Sequence, residues 1–285
     1  MGHVTRCRVQ STEQRADGVR TSVTVAAVTR RAAPLLAVLA MLAACGAVAP
    51  GADPPRRPPA HAAWQWQLDG RLDTSVRARV YDVDGVDTSR AAVARLHRSG
   101  RYVVCYVDVG TWEQWRPDAG RFPRSLLGAS NGWPGERWLD VRRIAALAPL
   151  LHARFASCRA QGFDAVEPDN VDGYANDTGF PLTAADQLRF DRWVARAVHA
   201  QRLAVALKND LDQAPALAPS FDFAVLEQCF QYRECAKARP FLRAGKGVYD
   251  AEYALAPAAF CAQARRLGIN AMRKRLSLGA WRQTC

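Results

Sequence analysis

Three short strings hold the residues best suited to chemistry: Glu167-Pro168-Asp169-Asn170, Lys208-Asn209-Asp210 and Glu227-Gln228. Each ends an apolar run of strand character. Alternation along a strand puts Ala165, Glu167 and Asp169 on one inward face. Pro168 has no N–H to give, so it is expected to break the ladder and turn the chain there. Glu227 emerges from Phe223-Ala224-Val225-Leu226 and is partly desolvated, which suits a carboxyl to general-acid work. Lys208 and Asn209 end a strand between these two acids, where they could hold a carboxylate or bind a sugar hydroxyl. Two carboxyl groups at neighbouring strand ends describe glycoside hydrolysis. One attacks or stabilises the anomeric carbon and the other protonates the leaving oxygen. The structural alternatives are an Asp-Asn turn with Glu167 paired to Lys208, and a buried ion pair between Glu227 and Lys208.

Other acids fall at strand ends too: Asp82 and Asp84, Asp108, Asp172, Asp210, Asp250 and Glu252. Capping of the next helix explains one such acid, not one at nearly every end. Asp82, Tyr106, Asp108, Glu167, Asn170, Asp172, Tyr174, Lys208, Asn209, Asp210 and Glu252 are therefore expected to contact substrate. Trp112, with Trp115, Trp133 and Trp138, offers flat faces for pyranose rings, although Trp138 reads equally as core. His97, His152 and His199 fall on helices and receive no role.

These residues need a scaffold that brings strand ends together. Eight strands are expected at 64–68, 79–83, 102–107, 163–167, 203–207, 223–227, 247–250 and 270–273. Helical patterns at 89–99, 141–160, 184–201, 235–244 and 257–267 separate most of them, several with Gly just beyond. Such alternation implies a parallel sheet, and eight units in about 220 residues is the size of a single-domain (β/α)8 TIM barrel. The first unit lacks a helix, and residues 111–140 read as one long loop. A doubly wound sheet would show a Gly-rich phosphate turn after its first strand, and none is present.

The first 45 residues are expected to be a signal peptide. An apolar run from Ala32 to Ala44 follows Arg30-Arg31 and ends in Leu42-Ala43-Ala44-Cys45-Gly46, a string like a bacterial lipobox. Cys45 would then be acylated, and the protein would be an exported envelope lipoprotein or a secreted one. Residues 46–63, rich in Pro and Ala, read as a spacer before the domain at 64–285. Six Cys remain in that domain, and six allow 15 pairings. Cys229–Cys235 would close a short loop and Cys261–Cys285 would tie down the C-terminus, which leaves Cys105–Cys158. No CxxC or HxxxH pair suggests a metal.

The chain is 285 residues long, 49% hydrophobic and 23% charged, which excludes a disordered, collagen-like or polytopic membrane protein. Its net charge is +12. Zinc-ligand spacing, RGG repeats and nucleic-acid modules are absent, so no nucleic-acid partner is inferred.

Five strings in order carry a resemblance: Trp66-Gln67-Leu68, Cys105-Tyr106-Val107, Gly162-Phe163-Asp164-Ala165-Val166-Glu167-Pro168-Asp169-Asn170, Leu207-Lys208-Asn209-Asp210 and Glu227-Gln228-Cys229-Phe230. They resemble glycoside hydrolase family 114, the endo-α-1,4-polygalactosaminidase group. The resemblance implies a (β/α)8 barrel, no cofactor, and a polysaccharide substrate containing galactosamine or N-acetylgalactosamine. It implies Asp169 as nucleophile and Glu227 as acid/base, with retention of configuration. Glu167, two residues away on the same face, is the rival nucleophile; Asp169 is preferred because it lies nearer the rim. Two other readings stand: a non-catalytic sugar-binding lipoprotein on the same barrel, and a glycosidase for another envelope polysaccharide.

Overall fold

A computed structural model describes residues 54–285. The expected signal peptide and the acylation at Cys45 lie outside the described residues. In chain order the elements are β1 (Trp64–Gln67), β2 (Val80–Asp84), α1 (Arg90–Arg98), β3 (Tyr102–Asp108), β4 (Thr111–Glu113), β5 (Leu127–Ser130), β6 (Glu136–Leu139), α2 (Ile144–Gln161) and β7 (Ala165–Asp169). Then come α3 (Ala184–Ala200), β8 (Ala204–Lys208), α4 (Ala214–Leu217), β9 (Phe223–Glu227), α5 (Arg239–Arg243), β10 (Val248–Glu252), α6 (Pro257–Leu267), β11 (Asn270–Lys274) and β12 (Arg282–Thr284).

Eight parallel strands run in the order β1-β2-β3-β7-β8-β9-β10-β11, and β12 adds antiparallel to β11. The segment around β12 joins the two ends of the sheet. Leu68 N donates to Leu278 O at 3.0 Å, and Gln65 Nε2 to Ala280 O at 2.8 Å. Trp64 Nε1 reaches Asn270 O at 2.8 Å. The result is a nearly closed (β/α)8 barrel.

Alternation sorts the apolar residues into two cores. Inward positions fill the barrel with Trp64, Trp66, Tyr102, Phe223 and Tyr249 against the small Ala165, Ala204, Ala206 and Ala251. Large rings meet small side chains, so the interior is packed rather than open. Outward positions such as Tyr81, Val83, Val103, Val166 and Leu226 pack beneath the helices. Thr183 and Asp186 form a capping box that starts α3. Gly162 ends α2 at φ 92°, a left-handed position that suits glycine. Disulfides Cys105–Cys158, Cys229–Cys235 and Cys261–Cys285 join the pairs expected.

Four expectations need correction. Residues 111–140 are not one loop: β4, β6 and β5 form a small antiparallel sheet over the barrel mouth. The helix expected at 235–244 divides into a 3-10 turn at Cys235–Ala238 and α5, with Pro240 in the first turn of α5. Pro168 does not turn the chain. Its register partner is Val107 and the β7–β3 ladder continues to Asp169, while the ladder to β8 extends only to Val166. Finally, residues 54–63 are more than a spacer. They cross the amino-terminal end of the barrel, where Tyr102 Oη donates to Arg56 O at 2.7 Å and Asn270 Nδ2 to Ala60 O at 2.8 Å.

Candidate active site

β7, β8 and β9 end at Asp169, Lys208 and Glu227. The next residue in each case has positive φ: 59° at Asn170, 49° at Asn209 and 58° at Gln228. A left-handed residue stops the pleat, so each strand ends with its last side chain at the mouth. Asn visits this region at modest cost.

Lys208 Nζ binds Asp169 Oδ1 at 2.8 Å, Glu227 Oε2 at 3.1 Å and Glu167 Oε1 at 3.5 Å. Both Lys208 contacts named as structural alternatives are therefore present, but the lysine also serves Asp169. Sharing one nitrogen keeps the bound oxygens of Asp169 and Glu227 within about 6 Å of each other. Carboxyl groups stand roughly 5–5.5 Å apart in retaining glycosidases and roughly 6.5–9.5 Å apart in inverting ones.

Exposure separates the rival acids. The Asp169 side chain is 17% exposed and that of Glu227 26%, while that of Glu167 is 0%. Asp169 and Glu227 line a cleft of about 390 Å³; Glu167 lies beneath it. Tyr106 Oη donates to Asp169 Oδ2 at 2.7 Å, and Asn170 N to Asp169 Oδ1 at 2.8 Å. Burial alone would raise the Asp169 pKa, but Lys208 and these donors together hold it below its ordinary value. Burial likewise works against the charge on Lys208, and Asp169, Glu227 and Glu167 outweigh it, so the ammonium persists. Glu227 accepts from Tyr253 Oη, and Asn209 Oδ1 accepts from Glu227 N at 2.9 Å.

Beneath the cleft, Glu167 accepts from Trp66 Nε1 at 3.1 Å and lies against Asp82. Neither Asp82 oxygen has an N–H donor among the described residues. Burial, then the charge of Glu167, raises Asp82 well above the carboxylate range, and burial pushes Glu167 up to about 7. Two buried acids in contact cannot both ionise cheaply, so this pair shares a proton. Raised carboxyl pKa values favour the fold below the unfolded range, near pH 4, and that contribution is lost as pH rises through about 7. Asn supplies a permanent donor in place of the shared proton. Asp82→Asn is therefore expected to keep activity within a few-fold and to gain stability on wild type between pH 5 and 8; thermal unfolding across that range checks it.

The remaining residues expected to contact substrate divide clearly. Tyr106, Asn170, Asp172, Lys208 and Asn209 line the cleft with Asp169 and Glu227. Tyr174 and Asp210 line an adjoining cavity of about 440 Å³, which shares Trp133, Asp172, Asn209, Glu227 and Tyr253 with it. Asp82 and Glu167 are buried one layer below, which corrects the expectation that they touch substrate. Asp108 is buried as well, accepting from Thr111 N at 2.8 Å and Asn170 Nδ2 at 2.8 Å. Glu252 faces away from the barrel interior and accepts from Phe230 N at 2.8 Å. Trp112 packs on the core, with Nε1 bound to Ala119 O at 3.0 Å. Trp133 is half exposed at the cleft, and Trp138 lines it while mostly buried. Trp115 is exposed and lines neither cavity.

Sequence reasoning missed Tyr253, Trp66, Glu136 and the 276–278 turn as parts of this site. Tyr253 stood one residue beyond a strand end, so the parity of β10 was the available signal. Gly110 was also missed. A Cβ there would stand 1.6 Å from Asn170 O, and its N–H donates to Asp169 O at 3.2 Å. Backbone cannot yield by that much. Gly110→Ala is expected to cut turnover at least about 100-fold and to destabilise the fold by about 1–3 kcal/mol, checked by assay and thermal unfolding.

Two acids across one cleft at the carboxyl rim of a barrel are the arrangement that glycoside hydrolysis uses. The model of glycoside-hydrolase family GH114 matches residues 46–285, and the chain belongs to that family. Among solved structures it is similar to Aspergillus fumigatus Ega3 in complex with galactosamine, at 35% identity and TM-score 0.78, covering 82% of this chain and 99% of that one. The glycoside hydrolase domain of PelA from Pseudomonas aeruginosa shares the fold at 16% identity and TM-score 0.65, covering 78% and 98%. An uncharacterised protein of Deinococcus radiodurans is 28% identical, covering 82% of this chain and 92% of its own length.

Proposed function

We propose that this glycoside hydrolase cleaves α-1,4-linked galactosamine-containing polysaccharide internally and with retention, using Asp169 as nucleophile and Glu227 as acid/base. The observation that carries the reading is Lys208, which holds both exposed acids on one nitrogen. Asp169 is ionised, oriented through both oxygens and open to the cleft, as attack on an anomeric carbon requires. Glu227 stands across from it, where it can protonate the leaving oxygen and then deprotonate the incoming water. The lysine shared by the two acids keeps them close, which supports retention. A relative at 35% identity carries galactosamine in its structure, which supports the amino sugar. Two adjoining cavities give room for several sugar rings, which supports internal cleavage. Export, by lipid anchor or secretion, fits the three disulfides.

Incubating the protein with α-1,4-galactosamine polymers of graded acetylation and sizing the products tests this reading. A ladder of short oligosaccharides is expected. Monosaccharide alone, or no product from any polymer, contradicts it.

Asp172 lines both cavities, and burial, then the Asp169 charge, pushes its carboxyl up to about 6. Its negative charge therefore develops as pH rises through 6. Asp172→Asn is expected to raise KM severalfold for deacetylated polymer at pH 7, with less effect at pH 5 or on acetylated polymer. Equal losses on both polymers would count against a charge-reading role.

A further inference from the structure

Charge divides along the barrel axis. Among the described residues, the acids beside the strand starts are Asp164 and Asp222, each tied into a local cluster. Asp164 meets His97 and Arg56, both at 2.9 Å, and Asp222 meets His199 at 2.8 Å and Arg57 at 3.3 Å. The catalytic acids and the other acid-lined cavity walls lie at the opposite end. The exposed surface at this end carries several arginines. Arg98, Arg159, Arg243 and Arg265 are exposed at or near the carboxyl ends of α1, α2, α5 and α6, and Arg79 and Arg202 are exposed just before β2 and β8. One basic residue per helix end is ordinary complementation of the helix dipole. Arg56 and Arg57 pair with Asp164 and Asp222, but Arg79 ends no helix and meets no acid among the described residues, so this face exceeds that requirement.

The course of the chain adds a second observation. Residues 54–63 cross this same face, held by Tyr102 at Arg56 O and by Asn270 at Ala60 O and Ala62 N. The part of the sequence before Pro54, with its lipobox-like string ending at Cys45-Gly46, therefore joins the domain at the basic end. The eight residues between Cys45 and Pro54 reach at most about 30 Å even fully extended.

We infer that the amino-terminal face of the barrel docks on an anionic lipid surface, turning the catalytic cleft away from the bilayer. Lipid headgroups present dense, shallow negative charge, which a broad face of arginines can meet at many points. Each basic residue near such a surface adds to the attraction, which fades within a Debye length. With the cleft outward, a polymer too large to approach the bilayer still reaches Asp169 and Glu227.

Sedimentation with vesicles tests the inference on the full chain carrying Cys45→Ser, so that no acyl chain contributes. Binding is expected to vesicles of phosphatidylcholine with one-third phosphatidylglycerol, not to phosphatidylcholine alone, and to be lost in 0.5 M salt. The triple variant Arg98→Gln, Arg159→Gln, Arg243→Gln should lose at least about tenfold in partitioning. Arg71→Gln, Arg90→Gln, Arg124→Gln removes equal charge from exposed sites nearer the other end and should lose less than twofold. Near-ultraviolet circular dichroism establishes that both variants remain folded. Equal sedimentation with both vesicle types, equal loss in both triples, or retention on polygalacturonate without vesicle binding would overturn the inference. Because binding is read without polymer hydrolysis, its failure is separable from failure of the catalytic reading.

Discussion

Asp169→Asn is expected to reduce turnover of α-1,4-galactosamine polymer by at least about 1,000-fold while leaving the fold intact. The amide keeps the shape of the side chain and can still accept from Tyr106, but it cannot form a stable ester with the anomeric carbon. Glu227→Gln removes proton transfer to the leaving oxygen, a contribution of about 100- to 10,000-fold. The two variants differ in a useful way. A substrate with a good leaving group needs no acid, so it should restore the first step in Glu227→Gln but not in Asp169→Asn. Rates on polymer and on an aryl glycoside check both statements. Wild-type turnover by Asp169→Asn would transfer the nucleophile role to Glu167.

Lys208→Met is expected to be more damaging to the fold than either. It leaves Asp169, Glu227 and Glu167 without the cation they share, with Glu167 fully buried in the barrel. Removing one partner from a buried ionic cluster costs about 3–5 kcal/mol. Without Lys208 the Asp169 carboxyl also loses its main source of charge stabilisation and rises toward protonation, so turnover should fall at least about 100-fold. Adding Glu167→Gln restores the charge balance and is expected to recover part of the stability but not the activity. Recovery of both would mean that Lys208 supports the barrel and has no part in ordering the acids.

Much of this architecture can be read from local pattern. The eight barrel strands are short apolar runs flanked by amphipathic stretches and Gly, and their observed bounds lie within two residues of expectation. The acids at the mouth are legible because a parallel barrel gathers the carboxyl ends of all its strands in one place. What fails is depth and parity. Asp82 lies two residues short of the end of β2, so it faces inward one layer too low. Glu252 has the opposite parity to Ala251 and Tyr253, so it faces outward, and Tyr253 occupies the position expected of it. Asp108 sits at the right level, but the turn through Gly110 and Thr111 folds back over it. Pro168 lacks a donor on one side only, and the ladder to β3 survives because Asp169 O can still accept from Val109 and Gly110. The sheet of β4, β5 and β6 and the strap at 54–63 depend on contacts remote in sequence, which spacing does not encode.

The division of labour between Asp169 and Glu227 is the claim on which the rest depends. It is tested most directly by mass spectrometry of the Glu227→Gln protein exposed to an activated α-galactosaminyl donor. The leaving group then departs without acid help, while hydrolysis of the enzyme ester stalls for want of a base. A covalent hexosamine adduct mapped to Asp169 is the predicted result. An adduct on Glu167, or no adduct while the donor is turned over, would contradict it.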